Sequence, residues 1–155
     1  MKKSRRKLLP HERKGAAVRL VLDTNIVISA LLWRGAPRRI LLSAHSNEVI
    51  LYTSIPLLVE LDDVLRRNKF QARLRQARVS ANELVLGFAA LATVVEPAAI
   101  PPVILSDPDD DAVLACALAA QAEAIVSGDS HLLQLGAYDA IPILPAEILI
   151  DQMAL

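Results

Sequence analysis

Apolar residues along this chain gather into short continuous runs separated by longer stretches of helical spacing. Short unbroken runs mark strands buried on both faces, as in a parallel sheet. Residues 20–22 (LVL) form the first of them, and 49–52, 93–95, 124–127 and 141–144 the others. Between them the spacing predicts helices over residues 26–33, with a stop at Gly35, and over 38–45. Next comes 56–67, with Leu57, Leu58, Leu61, Val64 and Leu65 on one stripe, then 68–79. Ser80 with Glu83 three residues on is a capping-box signal for a helix to Leu91. Asp107, as N-cap, and Pro108, at the first helical position, open a helix that runs to Gln121. A short helix over 146–150 closes the chain. Strands alternating with helices predict a three-layer α/β/α sandwich around a mostly parallel sheet, with neither an internal repeat nor a second domain.

Charge changes this picture at one end. The 155 residues hold 17 Lys/Arg and 17 Asp/Glu, a formal net charge of +0. Residues 1–17 nevertheless carry seven of the basic residues and one acid, so a basic tail precedes an acidic body spanning 18–155. Aromatics make up only 3% of the chain, which leaves few stacking platforms for single-stranded nucleic acid. Cys116 is the sole cysteine, excluding an internal disulfide and a cysteine-based zinc cluster. The most apolar region, residues 84–105, is broken by Glu96, Pro97, Pro101 and Pro102, which argues against a membrane span. With no signal-peptide core either, a cytoplasmic location is expected.

The chemistry lies in four acids. Asp23 and Asp129 follow apolar runs where strands end, and Glu60 stands at the edge of a helical apolar stripe. Asp110 precedes Val113, Leu114, Ala117 and Leu118 at helical spacing, in line with the buried face. Three have a plain alternative: Asp23 can cap the next helix, Glu60 can be a snorkelling surface residue, and acids in the first turn of the 108–121 helix stabilise its dipole. If the strands are parallel, however, their carboxyl ends share one edge, where ligands of open α/β sheets collect. Crowded carboxylates raise one another's pKa unless a cation neutralises them. Oxygen donors without His or Cys partners favour Mg²⁺ or Mn²⁺ over Zn²⁺.

The ordered set Leu-Asp-Thr-Asn at 22–25, helical Glu60, Asp-Pro-x-Asp at 107–110 before VLACA, and Ser-Gly-Asp at 127–129 resembles the PIN-domain family. The resemblance covers roughly residues 19–150 and implies a five-stranded sheet of order 3-2-1-4-5. It also implies a Mg²⁺- or Mn²⁺-dependent endoribonuclease, similar at this length to single-domain VapC-type toxins. Metal binding and catalysis then fall to Asp23, Glu60, Asp110 and Asp129, supported by Asn25, Ser127, Asp107 and Asp111. Asp111 is the alternative third ligand, and Ser127 stands where the related motif often has Thr. Expected partners are RNA and a small antitoxin protein, with a homodimer allowed and no membrane association.

An acidic centre repels RNA, so a basic surface must oppose it. Arg73, Arg75 and Arg78, in a segment that follows Glu60, are the expected phosphate contacts, ahead of the tail. Two other classes compete with the nuclease reading. A catalytically silent PIN-fold scaffold would have lost one of the acids, and all four are present. A phospho-accepting module using Asp23 needs a lysine near the last strands, and no Lys follows Lys69.

Overall fold

The computed structural model describes residues 16–104 and 107–155; all but the last two residues of the expected basic tail lie outside them. The described chain runs β1 (Val18–Leu22), α1 (Thr24–Leu32), α2 (Ala36–His45), β2 (Val49–Thr53), α3 (Ile55–Leu65), α4 (Asn68–Ala77) and α5 (Ala81–Leu91). It continues through β3 (Thr93–Val94), α6 (Pro108–Ala120), β4 (Ala124–Val126), α7 (Ser130–Leu135), β5 (Ala137–Tyr138), β6 (Ile141–Leu144) and α8 (Ala146–Met153).

The strands form one sheet in the order β3-β2-β1-β4-β6-β5. β1 lies in the interior of the sheet, parallel to β2 through Val18 opposite Val49 and parallel to β4 through Leu20 opposite Ala124. β3 and β6 extend the parallel set on either side. The fold class read from the sequence therefore holds, and its fifth strand is β6. The addition is β5, a two-residue edge strand antiparallel to β6.

Both faces of the sheet are covered, which is why its strands read as unbroken apolar runs. Leu20 and Leu22 of β1, Leu51 of β2 and Val126 of β4 pack on one side with residues of α1, α2 and α8. Val21, Ile125 and Ile143 point the other way, onto Val113, Leu114 and Ala117 of α6 and Leu132 of α7. Cys116 is wholly buried in this second layer, and burial pushes its thiol up to about 11. The helix starts follow local rules. Ser54 caps α3 with Pro56 in the first turn, Ser80 and Glu83 close a reciprocal capping box on α5, and Asp107 caps α6.

One boundary moves. α1 ends at Leu32, and Gly35 starts α2 as its N-cap with φ 134°, a backbone conformation that favours glycine.

Candidate metal centre

β1 delivers Asp23 to the carboxyl edge of the sheet, and the residue does two things there. Its Oδ1 accepts a hydrogen bond from the Thr24 amide (2.7 Å), capping α1. Its Oδ2 accepts one from the Ser127 hydroxyl (2.8 Å), which arrives from the end of neighbouring β4. The capping reading and the site reading of Asp23 are thus compatible. The Ser127 oxygen in turn accepts from the Asp129 amide (2.9 Å). On the other side, the Thr24 hydroxyl donates to Glu60 Oε1 of α3 (2.9 Å). A continuous chain of hydrogen bonds therefore runs from Glu60 through Thr24, Asp23 and Ser127 to Asp129.

Asp110 enters from the opposite helical layer, in the first turn of α6. It is 5% exposed, and its Oδ2 has no hydrogen-bond partner among the described residues. A carboxylate oxygen buried in that state costs free energy unless a cation or proton accompanies it. Its neighbours in sequence have other duties. The Asp107 side chain accepts from the Asp109 amide (3.1 Å), and Asp109 is exposed. Asp111 turns both oxygens to the preceding loop, accepting from the amides of Ile104 (2.8 Å) and Val103 (3.1 Å). Geometry thus separates Asp110 from Asp111: the second carboxylate is spent on backbone and the first is not.

The carboxyl groups feel one another. Burial raises the pKa of Asp23, against the hydrogen bonds from Ser127 and Thr24, with Asp129 and Asp107 adding repulsion. Burial likewise lifts Glu60 to about 7, opposed by the Thr24 hydroxyl and reinforced by Asp109 and Asp23. Asp110 is raised by burial first and then by Asp129 and Asp107. Ligand atoms of Asp110, Asp129 and His131 all lie within 4.8 Å of one another. Asp23 and Glu60 stand outside this tight group, with oxygens bonded to Ser127 and Thr24 respectively. Acid donors held together, one with a buried unpartnered oxygen, fit a divalent cation.

Sequence reasoning missed two residues. Thr24 joins Glu60 to Asp23, a role no local spacing announces because its partner is 36 positions away. His131 lies in the first turn of α7, a helix too short to show a period. Asn25, expected as a support, is exposed, and its side chain makes no hydrogen bond among the described residues.

The basic segment divides. Arg73, expected to meet phosphate, donates through Nε (2.8 Å) and Nη2 to the Leu32 carbonyl and lies over the Trp33 ring, 5.7 Å from its centre. Its charge closes the C-terminal end of α1. Arg75 and Arg78 are exposed, and their side chains have no hydrogen-bond or ion-pair partner among the described residues. With Arg66 they line a cavity of about 340 Å³ beside the α4–α5 turn, whose walls include none of the four acids. No helix among the described residues is long and apolar enough to cross a membrane.

The chain matches a family model described as PIN domain over residues 19–131. No curated protein matches the chain.

Proposed function

The chain belongs to the PIN-domain family, and on that footing we propose that it is a Mg²⁺- or Mn²⁺-dependent endoribonuclease of the VapC toxin type. PIN domains are generally nucleases that use divalent metal ions. The observation that carries the reading is the Asp110 carboxylate, buried with an oxygen that has no partner among the described residues, beside Asp129 at the carboxyl edge of a parallel sheet. Asp23, Glu60, Asp110 and Asp129 would hold the cation. When bound, it supplies positive charge that polarises a phosphate and acidifies a nearby water.

The residues divide the remaining work. Ser127 and the Thr24 amide hold both oxygens of Asp23 in one orientation. Thr24 holds Glu60 by Oε1. Burial lifts Glu60 to about 7 in the metal-free protein, so a bound cation, which favours the ionised carboxylate, and ionisation of Glu60 would support one another. In the hydrolysis the water oxygen would bond to phosphorus and give its proton to bulk water, while the bond to the leaving ribose oxygen breaks and that oxygen takes a proton from bulk water. Arg75 and Arg78 offer free cationic groups for the phosphate backbone.

The test is cleavage of a mixed RNA pool by the purified protein with Mn²⁺, Mg²⁺ or EDTA, alongside Asp23→Asn. Metal-dependent cutting by the wild type alone is expected; cutting in EDTA, or by Asp23→Asn at the wild-type rate, overturns the assignment. The toxin role adds a growth assay. Expression of the wild type should arrest cells, Asp23→Asn should not, and a small protein encoded beside the gene should relieve the arrest. Equal growth with both forms removes the toxin role and leaves the nuclease reading standing.

A further inference from the structure

We propose that His131 is a ligand of the cation held by this centre and that it biases the site toward Mn²⁺ over Mg²⁺. The inference rests on the reading that the acids bind a divalent cation, and goes beyond it in donor set and metal preference. The sequence shows an all-oxygen centre, whereas the fold adds a nitrogen. A ligand atom of His131 lies within 4.8 Å of ligand atoms on both Asp110 and Asp129, a span that one ion bridges. Asp110 supplies the independent sign, a buried oxygen with no hydrogen-bond partner among the described residues.

The backbone around His131 is held for the purpose. Asp129 Oδ2 accepts from the amides of His131 (2.9 Å) and Leu132 (3.1 Å), so carboxylate and imidazole stem are fixed to one another. Leu132 is wholly buried and anchors α7 in the core. The ring itself is not used up by this arrangement. Its Nδ1 lies 3.9 Å from Asp129 Oδ2, beyond hydrogen-bond length, and the imidazole makes no hydrogen bond among the described residues. The imidazole is half exposed, whereas Asp110 is buried, so a cation held by both would remain open to solvent on the His131 side.

The chemical consequence concerns selectivity. Mg²⁺ binds oxygen donors and keeps several of its waters, whereas imidazole suits first-row transition cations. A carboxylate pair with one imidazole therefore strengthens Mn²⁺ binding and leaves Mg²⁺ nearly indifferent. The plain alternative is a surface histidine that merely neighbours Asp129.

Pulsed electron paramagnetic resonance of the Mn²⁺-loaded full-length protein decides between them, with His131→Gln as the variant and Asp110→Asn as control. Direct ligation predicts ¹⁴N modulation in the wild type that disappears in His131→Gln. Titration should show Mn²⁺ affinity falling on the order of tenfold in that variant, with Mg²⁺ affinity little changed. Stoichiometric Mn²⁺ binding without nitrogen modulation, or modulation that survives His131→Gln, overturns the ligand role and leaves the acidic centre intact. Mn²⁺ binding that is unaffected by Asp110→Asn overturns the acidic centre, and this proposal with it.

Discussion

Replacing Glu60 by Gln should stabilise the metal-free protein at alkaline pH and do nothing at acid pH. Glu60 is raised from 4.5 to about 7 by burial, with the Thr24 hydroxyl opposing the rise. Below pH 4.5 the carboxyl is protonated in the folded and unfolded chain alike and exerts no pH-dependent effect. Between the two values the unfolded chain ionises while the folded one keeps its proton, so stability is lost as pH climbs. Above about 7 the loss is complete. Its full value, from ~1.36 kcal/mol per pKa unit, is about 3 kcal/mol, and partial exposure of Glu60 reduces this to roughly 1–2 kcal/mol. Gln keeps an oxygen for the Thr24 hydroxyl and removes only the charge. At this chain length the gain at pH 8 in EDTA corresponds to a rise of about 4 °C in melting temperature. Saturating Mn²⁺ should reverse the order, since only the wild type retains the full ligand set. Calorimetry at pH 4 and pH 8, with and without metal, reads all four conditions. A Gln variant no more stable than wild type at pH 8, or equally stabilised at pH 4, refutes the reasoning.

Three further outcomes separate neighbouring residues by their duties, and a fourth probes the core. Asp111→Ala should lower stability by about 1–3 kcal/mol in urea melts, since two loop amides lose their acceptor, whereas Asp110→Asn should be no less stable than wild type in EDTA yet lose Mn²⁺ binding; the opposite pattern would move the ligand by one residue. Arg73→Ala should cost about 1–2 kcal/mol by uncapping the Leu32 carbonyl and uncovering Trp33. Arg75→Ala with Arg78→Ala should leave melting unchanged and reduce the salt slope of RNA binding by roughly 0.7 for each phosphate that is no longer neutralised; an unchanged slope removes these arginines from the RNA surface. Cys116 should resist a disulfide reagent at pH 8 in the native state and react on unfolding, because burial keeps it a thiol up to about 11; rapid native labelling would show that the α6 layer opens.

What is legible in the sequence is local or periodic. The caps at Ser54, Ser80 and Asp107 bond within three residues of themselves, so their signals survive without knowledge of the fold. Asp110 is recoverable because Val113, Leu114 and Ala117 continue its buried line along α6. The Asp111 partners lie seven and eight residues upstream in a loop without period, and the residue therefore resembles a ligand. Arg73 misleads for a similar reason: its partner is a backbone carbonyl 41 positions away, and only its charge is visible in sequence. The β5–β6 hairpin is silent because its turn places Asp139 and Ala140 at φ of 50° and 65°. Positive φ at both central residues is usually announced by Asn-Gly or Asp-Gly, and Ala carries no such message. The placement of α7 requires its cap, Asp129, to be recognised as serving helix and acid cluster at once.

The interior position of β1 bears on the order in which this protein becomes itself. β1 is synthesised well before β4, one of its two sheet neighbours, and the bond that ties Asp23 to Ser127 joins residues 104 positions apart. Pairings so remote in sequence form only after a long loop has closed, which places them among the slow steps of folding. A growing chain that has reached α6 already contains Asp23, Glu60 and Asp110, but nothing crosses from β4 to hold Asp23 or to bring Asp129 opposite Asp110. The cluster of acids is thus a late product of folding, closed by the same strand pairing that completes the middle of the sheet.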